Sequence, residues 1–456
     1  MAAFFSPTLG HRRLCAVLIV LAISVLLSAG ASAQFVPPVP VPPANPMTPQ
    51  KAVLGKILFW DQQLSSDHST ACGTCHLTEF GGADPVFGLH PGADGAFGSP
   101  DDIHGSIGVV RRDPTGLPMS DPVFGLAPQV TGRAAPNFFG GLWDPESLWD
   151  GRGSSSFDDP ITGVNLIPIG GALESQSLGP ILNTVEMAKD ARSWASVTSH
   201  LAGTSPLALA TAIPPDMTAA IAAHPTYPDL FNAAFGTPDI SPARIAFALA
   251  TYERTLVADQ TPWDVSVTGV GTGPGLTPNQ QAGWNFFQSS SCSGCHAPPL
   301  FTSRRFASIG LRDINDDIGR ELVTGLPFDR GHFKIPTLRN VGLKSTFMHT
   351  GEFLSLGDVV RFYQPGAPRF FANLSPGVPV AIPIPEEGPL IDFLQNGLTD
   401  PRVASASFPF DRPTLYVPEA SMNQQIRMGC LSLAVLVLAR KRRGASMLQR
   451  SLKRTS

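Results

Sequence analysis

The chain has 456 residues and a formal net charge of −4, and only 15% of its residues are charged, below the usual quarter or so. Setting aside two leader arginines and the eight Lys or Arg from Ser421 onward leaves 22 basic residues against 36 acids, a core charge of −14. Such a core repels nucleic acid, which is excluded as a partner, and favours a basic protein at encounter. The 44 glycines and 45 prolines point to long ordered loops around a modest number of helices, and a core of roughly 390 residues is too long for one ordinary domain.

In chain order, His11, Arg12 and Arg13 form a positive start, Leu14 to Leu27 is apolar, and Ala31-Ser32-Ala33 is a small-residue cleavage signal. Residues 1–33 therefore read as a signal peptide, with export to the periplasm expected. Thr48-Pro49 opens a helical pattern, the hydroxyl as N-cap and proline in the first turn, and Gly55 and Phe59 lie within it. Next comes Cys72-Gly73-Thr74-Cys75-His76, a Cys-x-x-Cys-His site for covalent c-type haem attachment. Residues 83–137, rich in Gly, Pro and Asp, read as one long loop. Pro242 to Leu256 is helical, with Ile245, Leu249, Tyr252 and Leu256 on one face. Residues 261–274 read as a connection.

Thr277-Pro278 then opens a second helical pattern, with Gly283 and Phe287, ahead of Cys292-Ser293-Gly294-Cys295-His296. Zinc would want its second cysteine pair roughly 12–20 residues away, whereas these pairs lie 220 positions apart. A redox dithiol has no use for the histidine that follows each pair. Of six cysteines only Cys15 and Cys430 lie outside the motifs, so none remains for a structural disulfide. Near the end, Val417-Pro418-Glu419-Ala420 precedes an apolar run from Cys430 to Ala439 and the basic Arg440 to Arg443, a layout resembling bacterial sorting tails. The run is short for a span, and the cations offer membrane association through the tail.

The expected fold is mostly α: two cytochrome c-like haem domains with long ordered loops. Residues 45–265 would carry the first haem, 266–415 the second and 416–456 the tail.

Between Pro49 and Pro365 the chain resembles the bacterial di-haem cytochrome c peroxidases and their relative MauG. Besides the haem motifs, the resemblance rests on Gly132 to Pro136, Leu148-Trp149-Asp150-Gly151-Arg152, Leu173 to Pro180 continuing to Glu186-Met187, Phe333 to Asn340, and Phe347-Met348-His349-Thr350-Gly351. It implies an oxidoreductase with two covalently bound haem c groups. The haem at Cys72, Cys75 and His76 would meet hydrogen peroxide, with His76 as proximal ligand. The haem at Cys292, Cys295 and His296 would transfer electrons from a small periplasmic donor, a c-type cytochrome or cupredoxin. Gln176, Pro180 and Glu186 match the family's spacing beside the peroxidatic haem. A carboxylate there moves the peroxide proton and an amide orients the peroxide. Trp149 takes the position of the tryptophan between the haems.

Departures carry information too. Neither His90 nor His104 matches the motif of the histidine that closes the first haem in many relatives, so an open iron is expected. Residues 154–171 look like an insertion near the active-site rim. Tyr363 falls where typical peroxidases use a methionine as sixth ligand to the second haem, with Met348 as the alternative; an oxygen ligand would lower the potential and methionine raise it. Calcium between the domains is common in the family, but the usual asparagine position is Gly140 here, with Asn137 out of register. Three functions stay open: peroxide reduction, MauG-like oxidation of a protein or small molecule, and electron carriage without catalysis. A homodimer is left open.

Overall fold

The computed structural model describes residues 36–271 and 273–417. The leader, its cleavage signal, Cys15, Cys430 and the apolar and basic stretches of the tail lie outside the described residues. No helix among those described is long and apolar enough to cross a membrane.

The two Thr-Pro starts form matched helices. In Pro49–Trp60, Thr48 accepts the Lys51 N–H; in Pro278–Ser289, Thr277 and Gln280 cap each other reciprocally. Each helix crosses a later one at a glycine. A Cβ on Gly55 would lie 1.9 Å from the Ala248 carbonyl oxygen, and one on Gly283 would lie 2.0 Å from that of Pro389. Only glycine lets the backbones approach so closely. The partners are helices Pro242–Glu253 and Ile384–Asp392.

Two apolar cores result. The first joins Leu54, Ile57, Leu58 and Trp60 to Ile245, Leu249 and Tyr252, and the Trp60 indole N–H donates to the Tyr252 hydroxyl at 3.2 Å. The second gathers Phe287, Trp263, Phe301 and Phe393. Cys72 packs against the first core and Cys292 against the second. The expected connection at 261–274 contains a helix, Pro262–Thr268, whose buried Asp264 receives two 2.7 Å hydrogen bonds from Arg339. From Pro401 the chain returns to the first core. Phe410 is fully buried in it, and the Tyr416 N–H donates to Gln62 Oε1 at 2.8 Å.

The mostly α expectation is corrected to a mixed fold. Residues 83–137 are not one loop: strands β1 (Phe87–His90), β2 (Ile103–Val110) and β3 (Pro128–Val130) form an antiparallel sheet in that order. Phe157–Asp158 pairs with Asn165–Ile167 inside the expected insertion, and Phe306–Ala307 with Phe333–Lys334. These strands are short, and glycines such as Gly88, Gly105 and Gly108 dilute the alternation that announces a strand in sequence. Gly108 also lets β2 lie against Val185, whose carbonyl accepts the Val109 N–H at 2.9 Å. Gln129 on β3 adds a 2.8 Å bond to the Thr184 carbonyl. The sheet thereby fixes the segment that carries Glu186.

Candidate active site

Each Cys-x-x-Cys pair sits on a single helical turn, and the following histidine ends it. The His76 Nδ1 lies 3.0 Å from the Gly82 carbonyl oxygen, and the His296 Nδ1 lies 3.2 and 3.1 Å from those of Phe301 and Pro336. A carbonyl only accepts, so Nδ1 carries the proton in both rings and Nε2 keeps the lone pair a metal would take. Burial pushes both imidazoles below their ordinary pKa, His296 to about 4, which keeps them neutral. The four motif cysteines are free and half-buried; burial first, then Glu253, raises the Cys72 thiol to about 12. Two thiols and a neutral imidazole with Nε2 available fit haem c: the thiols would form its thioethers and the imidazole would hold its iron.

A cavity of about 430 Å³ opens beside the first motif, its walls including Cys72, Cys75, His76, Trp149, Gln176 and Glu186. Gln176 comes from helix Ala172–Ser177, and Glu186 from the turn anchored by β2. Burial pushes the Glu186 carboxyl up from its ordinary range, and Arg152 partly opposes it. His76 is the only histidine among the described residues that lines this cavity. His104 instead donates from Nδ1 to the Gly351 carbonyl at 3.0 Å and stacks on Phe87; His90 stays on β1.

A second, more apolar cavity of about 190 Å³ adjoins Cys292, Cys295 and His296, and both Tyr363 and Met348 line it. Tyr363 ends helix Leu356–Tyr363; burial, then the neighbouring thiols, raise its phenol well above the ordinary range. Trp149 borders both cavities. Its ring is buried, and its indole N–H donates to the Ala134 carbonyl at 2.8 Å.

Three wall residues were not singled out from sequence. Arg152 lies inside a quoted motif and donates to Asp150 at 2.8 Å. Glu253 is buried on the first cavity's wall, its carboxyl raised by burial to about 8; the apolar face of its helix hid it. Lys344 lines the second cavity and has no sequence signal. Near the expected calcium position, Asn137 Oδ1 accepts the Gly140 N–H at 2.9 Å. No group of three or more His, Cys, Asp or Glu among the described residues is arranged to hold a metal ion.

Two thiol–imidazole sites on cavities that share a buried tryptophan define a di-haem c-type redox protein. The family described as di-haem cytochrome c peroxidase matches residues 49–271. The methylamine utilization protein MauG of Methylorubrum extorquens is 30% identical over 334 residues, covering 73% of each chain. The cytochrome c551 peroxidase of Nitrosomonas europaea is 26% identical, covering 74% of this chain and 79% of the relative. In fold, a crystal structure of a MauG-like protein associated with microbial copper homeostasis matches with a TM-score of 0.56 at 23% identity, covering 83% of this chain and 96% of that one. The chain belongs to the di-haem cytochrome c peroxidase and MauG family. It is an oxidoreductase whose family carries haem c.

Proposed function

We propose that this protein reduces hydrogen peroxide to water at the Cys72–His76 site, with electrons entering through the Cys292–His296 site. The balance is one peroxide, two electrons and two protons to two waters. Haem c, when bound, supplies the iron that takes the electrons from one site to the other and on to peroxide. The observation that carries the reading is the convergence of Gln176 and Glu186 on the cavity lined by His76, with no second histidine among the described residues in its wall. A carboxyl raised by burial sits nearer neutral pH, where a group that takes a proton and returns it works best. Glu186 takes the proton from one peroxide oxygen and delivers it to the other, which leaves as water. The Gln176 amide orients the peroxide, and Trp149 carries the electron across the wall common to both cavities.

The donor is a small c-type cytochrome or cupredoxin of the periplasm, attracted to the acidic core. Two haem-binding units, divided near residue 265, carry the two haems, and the segment from Pro401 belongs by its packing to the first. Steady-state peroxide consumption with a reduced cytochrome tests the reading. Turnover in the wild type and its loss in Glu186→Gln is the expected result; equal rates would refute it.

Tyr363 in the second cavity favours one further reading, MauG-like oxidation of a protein or small molecule. A tyrosinate ligand stabilises oxidised iron, suiting storage of oxidising equivalents over rapid acceptance from a cytochrome. Electron paramagnetic resonance before and after Tyr363→Phe separates the two: a changed second-haem signal supports tyrosine ligation, and an unchanged one leaves Met348 as the ligand.

A further inference from the structure

Lys344 stands at the seam between the two sites. It follows the turn Val341–Leu343 and lines the second cavity. Its ammonium lies 6.0 Å from the Trp149 ring centroid.

The other lysines among the described residues all have an oxygen partner. Lys51 donates to Asn45 at 3.0 Å, Lys56 pairs with Asp216 and Asp411 at 2.9 and 2.8 Å, Lys189 donates to the Pro114 carbonyl at 2.8 Å, and Lys334 pairs with Asp144 at 3.1 Å. The Lys344 ammonium forms no hydrogen bond or ion pair with any described residue. Burial lowers its pKa to about 8. An ammonium drawn partly out of water without an anion is unfavourable, and one aromatic face at 6.0 Å offsets that only in part.

A cation aimed into a cavity with no protein anion calls for an anion on whatever fills that cavity. We infer that Lys344 is the counter-ion of a haem propionate in the second site, an inference that rests on haem c occupying that cavity. Lys344 would then be a positioning residue: it fixes the carboxylate and keeps a positive charge on the face of Trp149.

The test uses the haem-loaded protein, with haem content measured through its pyridine adduct, so that failure to load haem is seen separately. Removing a positive charge beside a haem stabilises its oxidised form. Lys344→Gln is therefore expected to lower the midpoint potential of the second haem and to shift the infrared band of a ¹³C-labelled propionate, while Lys344→Arg keeps wild-type values for both. An unchanged potential and an unchanged band in fully loaded Lys344→Gln would overturn the inference. Should Lys344→Gln load no haem, the wild type carries the test. A propionate band that moves on exchange from H₂O to D₂O is expected, and a band insensitive to exchange would overturn the pairing.

Discussion

Trp149 and His349 meet edge to face, ring centroids 6.3 Å apart, at equivalent places in two matching turns. Each follows a non-glycine residue in the left-handed region, Leu148 at φ 68° and Met348 at φ 69°. Each turn is closed by a bridge, Ser147 with Gly153 and Phe347 with Phe353. Each turn is also tied to a segment of the other half of the chain: the Trp149 carbonyl accepts the Lys334 N–H at 2.7 Å, and the His349 carbonyl accepts the Ala134 N–H at 2.8 Å. One device thus occurs twice. In the first turn it presents an indole that borders both cavities; in the second it presents an imidazole that burial pushes down to about 3.

Trp149→Phe tests the bridge. Phenylalanine keeps an aromatic body but loses the bond to Ala134, a stability cost of about 1 kcal/mol. Its ring gives up an electron less readily than indole. Stopped-flow mixing of the fully loaded variant with reduced donor and peroxide is expected to show slower electron delivery to the first haem at unchanged haem content. An unaltered rate would remove Trp149 from the electron path.

Glu186→Gln should lower peroxide turnover by roughly 10²- to 10⁴-fold, the usual contribution of a positioned proton-transfer group. The pH profile gives a second handle. The working form is the carboxylate, so activity falls as pH drops through its folded pKa. Burial places that pKa above the ordinary range, and the acid limb should lie above about pH 4.3. Arg152 holds the value down, so Arg152→Gln should move the limb to higher pH. A limb that moved the other way would contradict the assigned electrostatics.

Much of this site was legible in the sequence because its signals are local. The Thr-Pro caps and the Cys-x-x-Cys-His turns act within a few residues, and both helix starts appear in the structure as read, whereas the long-range crossings at Gly55 and Gly283 carried no sequence signal. Gln176, Glu186 and Trp149 came from segment resemblance and do line the first cavity together. The sheet at 87–130 escaped because its pairing joins strands across long turns and its glycines interrupt the period. Lys344 escaped because its surroundings come from both halves of the chain. The return of Phe410 to the first core was likewise invisible, since a phenylalanine between prolines and aspartates carries no record of where it packs.

Gly55→Ala and Gly283→Ala should each cost about 3 kcal/mol or more, at or beyond the upper end of ordinary overpacking. The added methyl meets a backbone carbonyl at about 2 Å in both units, and that atom cannot swing aside as a side-chain end would. Denaturant unfolding of the two variants checks the cost; equal midpoints for Gly55→Ala and wild type would mean that the helices separate without cost.

The ion-pair cluster at Arg133 ties the two halves together and should set their acid stability. Arg133 donates to both Asp317 oxygens at 2.7 Å and to Asp150 at 2.7 Å. Burial alone would raise both aspartates, yet hydrogen bonds and charge from Arg133, with Arg152 helping at Asp150, hold them below their ordinary pKa. A depressed carboxylate contributes stability that is complete above its unfolded pKa of about 3.9 and is lost as pH falls through the lower folded value. Stability of the wild type should therefore decline below about pH 4 partly through this cluster. In Arg133→Met Asp317 loses its counter-ion, and the almost fully buried Asp150 keeps only Arg152. The variant should be weaker at neutral pH by about 3 kcal/mol, the lower end for breaking a buried pair because Arg152 remains, with a shallower decline in acid. Urea unfolding at pH 7 and pH 3.5 reads both effects, and an undiminished acid slope in the variant would show that carboxylates elsewhere carry it.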